Sequence, residues 1–152
     1  MLIPTFRVQR FAKGHPLYSD SVITNNDPKR GAVGTFKAVF GQFVTAGGEF
    51  IHYTMERADT LIKEGSYTYG FYDSPANKCK VILLMEDPDG NNISARKLEH
   101  HIANYPFELK GCTAHGMAID VKKPMIASSG IAFHDLMKLA TGPGVITYET
   151  LK

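Results

Sequence analysis

Within sixteen residues, His101 to Gly116 (H-I-A-N-Y-P-F-E-L-K-G-C-T-A-H-G), the chain gathers a thiol, two imidazoles, a carboxylate and an amide. Cysteine chemistry needs a thiolate, a base to make it and a third group to orient that base. Cys112 is the candidate nucleophile and His101 the candidate base, with Asn104 or Glu108 to orient it. Gly111, directly before the cysteine, lets a substrate backbone approach closely and offers an unhindered N–H toward a developing oxyanion. On residue types alone a buried structural cysteine is the stronger reading, because free cysteine is among the most buried residues and is usually inert.

Other enzyme signatures are missing from the sequence: it has no Gly-rich phosphate loop, no HExxH and no paired CxxC. No cofactor and no metal are therefore expected. Asp87-Pro-Asp-Gly-Asn-Asn lacks the sixth-position glycine and the twelfth-position Glu of a calcium loop, and reads as a tight turn. Charge is nearly balanced, 17 Lys and Arg against 15 Asp and Glu. That leaves no strong footprint for nucleic acid or anionic lipid, and neither partner is expected. Apolar runs such as Val81 to Met85 fall far short of the roughly 20 residues of a membrane-spanning helix. The N-terminus breaks at Pro4 before reaching the apolar stretch of a secretory signal, so synthesis in a cytoplasm is expected. Cys79 and Cys112 are too few for a disulfide scaffold.

The elements that must position Cys112 are mostly strands. One domain over 1–152 is expected from length and apolar content. Phe6 to Phe11 reads as a strand, and 14–31, rich in Pro, Asn, Asp and Ser from His15 to Arg30, reads as a long loop. Alternation on both sides of Gly47-Gly48 predicts a β-hairpin. Tyr67, Tyr69 and Phe71 share a face of the next strand, as core packing or, alternatively, as a stacking platform for sugars. Cys79 to Glu86 is nearly apolar in its middle, as in a strand covered on both sides, which makes Cys79 structural. Leu98 to Ile102, Gly116 to Val121 and Val145 to Leu151 read as further strands. Ala132, Leu136, Leu139 and Ala140 recur at helical spacing, predicting one helix over 129–141 with Ser128 or Ser129 as N-cap. The fold class is mainly β, or α+β with few helices: an antiparallel or mixed sheet curled into a sandwich or barrel-like domain.

The spacing of the His101 segment resembles a domain family of phages and bacteria that carries H-x-G-N, then an acidic residue, then G-C and a further glycine. His101, Asn104, Gly111, Cys112 and Gly116 match, with Ala103 in place of the first glycine and Glu108 in place of the usual Asp. Thr54-Met55-Glu56 resembles the family's T-L-E, and Lys63-Glu64-Gly65-Ser66-Tyr67 its P-x-G-T-Y. Ser74 falls where a serine is common, and Ser129 with Ala132 resembles the start of its late helix. The resemblance spans Gly34 to Leu139. More distantly, the Gly-Cys pair and the upstream histidine resemble the L,D-transpeptidases, β-rich enzymes that attack peptidoglycan stem peptides through a cysteine. Here Lys110 replaces the histidine two before the cysteine, and Thr113-Ala114 replaces the usual Ile-Arg. Lys110 could still lower the thiol pKa as a nearby cation.

The resemblance implies two alternatives. One is a cysteine peptidase or transpeptidase acting on bacterial cell-wall peptides: Cys112 as nucleophile, His101 as base, Asn104, Glu108 or Glu56 orienting it, and Gly111, Lys110, His115 and Glu56 around the substrate. The other is a non-catalytic phage component of tail or baseplate, whose partners are other virion proteins in an oligomeric assembly.

Overall fold

The computed structural model describes residues 3–152, so the first two residues of the N-terminal segment discussed above lie outside the described residues. Along the described chain the strands are β1 (Thr5–Phe11), β2 (Val22–Asn25), β3 (Gly34–Thr45), β4 (Phe50–Arg57), β5 (Gly65–Ser74), β6 (Cys79–Glu86), β7 (Glu99–His101), β8 (Thr113–Gly116), β9 (Ala118–Asp120), β10 (Met125–Ala127) and β11 (Gly144–Leu151). A single helix among the described residues, α1 (Ser129–Leu139), precedes β11.

Eight strands run in the order β1-β11-β5-β6-β7-β8-β4-β3, and β3 pairs back onto β1, with Phe6 opposite Thr45 and Val8 opposite Phe43. The sheet is therefore a closed mixed barrel with one extra strand, β2, on the first residues of β3. Closure removes the exposed edges that an open sheet would present. The β1–β11 and β7–β8 pairs are parallel and the remaining barrel pairs antiparallel.

Strand alternation sorts side chains into two buried groups. Phe6, Val8, Phe43, Tyr67, Tyr69, Ile82, Leu84, Ile146 and Tyr148 form the barrel interior, and Phe133 and Leu136 of α1, with Ala140 just after it, pack into the same cluster. Each such large apolar side chain contributes about 1.5–3 kcal/mol by leaving water. Tyr67 and Tyr69 are therefore core residues, with Phe71 half-buried against them. The second group covers the outer face of β3, β4 and β8: Ala38, Phe40, Met55 and Ala114 lie beneath Ala103, Leu109 and Ile126, with Cys112 at its margin.

Three expectations change. The stretch 14–31 is not all loop, because Val22–Asn25 pairs with Gly34–Lys37, a contact between two short segments that neither announces by itself. The strand read over Gly116 to Val121 is divided: β8 ends at Gly116 and β9 starts at Ala118, in a separate hairpin with β10. Ser128 precedes α1 in the left-handed region (φ 56) without a side-chain cap, and the Ser129 hydroxyl accepts the Ala103 N–H at 3.1 Å. Ser128 is thus the N-cap residue by position, as expected, but its side chain does not cap, and the Ser129 hydroxyl ties the helix start to the segment after β7 instead.

Candidate functional site

The β7–β8 pair decides which side chains can meet. Its parallel register sets His100 beside Thr113 and His101 beside Ala114. Thr113 and His100 point into the barrel, where Tyr148 Oη lies 2.8 Å from Thr113 Oγ1 and 2.6 Å from His100 Nε2. By alternation Glu99, His101, Cys112 and Ala114 point outward. Cys112, His101, Glu99, Glu108 and Lys110 line one open cavity of about 310 Å3, with Asn77 and Lys97 on its wall.

Cys112 is only 8% exposed. Its sulfur accepts the Glu99 N–H at 3.4 Å, and its one S–H has the carbonyls of Lys97 and Lys110 as alternative acceptors at 3.6 and 3.8 Å. Burial pushes the thiol above its ordinary value, against the help of the Glu99 N–H. The resting sulfur is a thiol, and the Lys110 ammonium does not overcome its burial. His101 holds Nδ1 3.0 Å from the Ile102 carbonyl. A carbonyl can only accept, so Nδ1 carries a proton, and in the neutral imidazole Nε2 is the nitrogen with the lone pair.

The residues expected to orient His101 are engaged elsewhere. One Glu108 carboxylate oxygen accepts the N–H groups of Asn104 and Tyr105, each at 2.9 Å, closing the turn Pro106–Glu108. Asn104 is exposed, does not line the cavity, and uses its carbonyl to accept the Ile126 N–H. The Gly111 N–H donates to Thr60 Oγ1 at 3.0 Å, so it is not free for an oxyanion. Glu99 is the outward carboxylate beside Cys112 that the sequence reading missed. It accepts from Asn77 Nδ2 at 2.9 Å and Ser74 Oγ at 3.4 Å. Its position two before His101 was the available signal, since residues two apart share a strand face.

His115 and Glu56 belong to the barrel interior and take no part in the Cys112 cavity. His52 Nε2 lies 2.5 Å from His115 Nδ1, and His115 Nε2 lies 2.6 Å from His100 Nδ1, so three imidazoles, Tyr148 and Thr113 form one buried chain. Burial pushes His52 down to about 4, with Asp135 pulling the other way. Burial, then the neighbouring His101 and His52, pushes His100 down to about 3, and burial, then His52, His100 and His101, pushes His115 well below its ordinary value. Glu56 meets Arg10 through two bonds of 2.8 and 2.7 Å, and Arg10 also donates to the Ile62 carbonyl at 3.0 Å. Burial pushes the Glu56 carboxyl up and would push Arg10 down. The two-point ion pair opposes both and holds Arg10 above its ordinary value.

Both cysteines are free, and Cys79, expected to be structural, is the exposed one, at the first position of β6. Among the described residues no group of three His, Cys, Asp or Glu is arranged to hold a metal ion, and no helix is long and apolar enough to cross a membrane. Comparison with known proteins adds no relative: no family model, no curated protein and no solved structure matches this chain.

Proposed function

We propose that this chain is a cysteine-dependent enzyme of acyl transfer, a peptidase or transpeptidase acting on bacterial cell-wall peptides, with Cys112 as nucleophile and His101 as general base. The supporting observation is that His101 on β7 and Cys112, directly before the parallel neighbour β8, line one open cavity, with His101 Nδ1 turned to the Ile102 carbonyl. The substrate class comes from the resemblance to the L,D-transpeptidases. In this reading the Cys112 proton passes to His101 Nε2 as the sulfur attacks a peptide carbonyl carbon. The C–N bond then breaks, the same proton leaves with the amine, and an acyl-thioester remains on Cys112. An incoming amine completes transpeptidation, and water completes hydrolysis. Because burial holds the resting thiol protonated and a backbone carbonyl takes its single S–H, bound substrate must free that proton before transfer begins.

That same restraint favours a second reading, a non-catalytic virion module in which Cys112 is a packing residue. Incubation of the protein with purified peptidoglycan and with stem peptides separates the two. The enzyme reading expects new cleaved or cross-linked products, an adduct at Cys112, no turnover by Cys112→Ala, and a rate lower by about a hundredfold to ten-thousandfold for His101→Ala. Absence of turnover by the wild-type protein, with Cys112→Ala still folding and assembling into its particle, would leave the module reading.

A further inference from the structure

The buried chain of His52, His115, His100, Tyr148 and Thr113 takes no part in the Cys112 cavity, yet it fastens the wall that carries Cys112. β7 is three residues long. It pairs with β8 only at His100–Thr113 and His101–Ala114, and with β6 only at Ile82–His100 and Leu83–Glu99. From inside the barrel, His100 of β7 lies 2.6 Å from His115 of β8 and 2.6 Å from Tyr148 Oη of β11, while His115 lies 2.5 Å from His52 of β4. Tyr148 Oη also lies 2.8 Å from Thr113 Oγ1 of β8. The chain thus ties the short strand β7, with β8, to β4 and β11. On the outer side of that wall the Glu99 N–H of β7 and the Lys97 carbonyl before it engage the thiol.

The hydrogens of this chain can be counted. Each neutral imidazole offers one N–H and one lone pair, and each hydroxyl one O–H. Every link then holds one hydrogen when all donors point the same way along the chain. One excess proton fits without breaking a link. It enters at His52 Nδ1, the only nitrogen of the three rings outside the chain, and its charge can pass to His115 or His100 as link hydrogens shift. A second excess proton does not fit. It would set two N–H groups head to head between nitrogens 2.5 or 2.6 Å apart, so a link must part. Asp135 of α1 favours the proton at the His52 end, whereas Arg10 beside Tyr148 is already neutralised by Glu56. His101 and Cys112 act on the chain from the outer side of the wall, and Phe43 of β3 and Tyr67 of β5 pack against it without charge.

We infer that this chain is an acid-released latch on the β7–β8 wall: it stores one proton with its links intact, and a second parts β7 from the interior and uncovers Cys112. Two charged imidazoles in direct contact repel each other and lose their shared hydrogen bond, and β7 has few other pairings to hold it. The latch needs no reaction at Cys112, so it holds for an enzyme and for a virion module alike.

The test follows both thiols of the intact protein from about pH 7 to about pH 3 with a pyridyl disulfide, whose leaving group lets exchange proceed in acid. Mass spectrometry separates the label at Cys112 from that at Cys79, and far-ultraviolet circular dichroism reports the strands. The ratio of the Cys112 rate to the Cys79 rate is expected to rise at least about tenfold in acid while the strand signal holds, because opening of the wall is a local event. His100→Gln with His115→Gln keeps a donor and an acceptor at both positions and leaves only His52 to titrate, so the rise is expected to vanish. Protection of Cys112 until the strand signal itself collapses, or an acid rise that survives the double substitution, would overturn the inference. Should the double variant not fold, imidazole nitrogen NMR of the wild-type protein decides. One charge shared over three rings while Cys112 stays protected supports the latch, and two charged rings in a protein that still protects Cys112 overturn it.

Discussion

The backbone N–H of Glu99, at the start of β7, donates at 3.4 Å to the sulfur of Cys112, the residue directly before the parallel strand β8. The strand that carries His101 thus also holds the thiol in place. With the carbonyls of Lys97 and Lys110 as alternative acceptors, Cys112 is restrained on three sides, and its reactivity depends on whether a ligand loosens them.

Thiol labelling reads this directly. In the native protein a small alkylating agent is expected to modify exposed Cys79 well before Cys112, whose thiol is pushed up by burial. This reverses the expectation from sequence neighbours alone, in which Gly111, Lys110 and the histidines favour Cys112. Mass spectrometry of a labelling time course decides it, and equal rates at the two sites would show that the restraint on Cys112 is absent in solution.

The buried Arg10–Glu56 pair sets a stability test. Arg10→Met leaves the Glu56 carboxylate without its two donors inside the barrel, and should cost about 3–5 kcal/mol in urea unfolding. The double change Arg10→Met with Glu56→Leu should recover much of that loss, because no charge is then left unpaired. A loss in the double variant equal to the sum of the two single losses would contradict the pairing.

Acid should unfold this barrel through its histidines. The unfolded chain protonates an imidazole near 6.5, but inside the barrel His52 does so near 4 and His100 near 3, with His115 also well down. Below about 6.5 the unfolded state binds more protons, so stability falls as pH falls from there toward the folded values. The slope is up to about 1.4 kcal/mol per pH unit for each imidazole. Above pH 7 these groups add no slope. Urea midpoints at pH 7.5, 6.0 and 4.5 measure this, and equal stability at 7.5 and 4.5 would rule it out.

Gly111→Ala tests the backbone before the cysteine. Gly111 has φ +75, and an added Cβ would lie 2.7 Å from Leu98 Cδ2. The left-handed backbone alone costs about 1–2 kcal/mol for a residue with a Cβ. A lower melting temperature is expected, and an unchanged one would mean that the turn relaxes freely.

Much of the fold was legible in the chain itself because it rests on local signals. The hairpin at Gly47-Gly48, the apolar centre of Val81 to Leu84, the turn at Asp87 and the helical spacing of Ala132 and Leu136 each lie within a few consecutive residues, and each recurs in the structure. The grouping of Cys112 and His101 on one cavity was legible as well. That the sheet curls into a barrel-like domain was expected and holds, but which strands close it was not legible, since β1 on β3 joins residues more than thirty positions apart whose pairing no local pattern records. Nor was the fate of the other site residues. His115 and Cys112, three apart, occupy opposite faces of the β8 strand line, and Glu56 meets Arg10 only because the barrel brings β4 and β1 to the same interior. A residue's type is written in the sequence, but which side of the barrel wall it faces depends on register, and register exists only between strands.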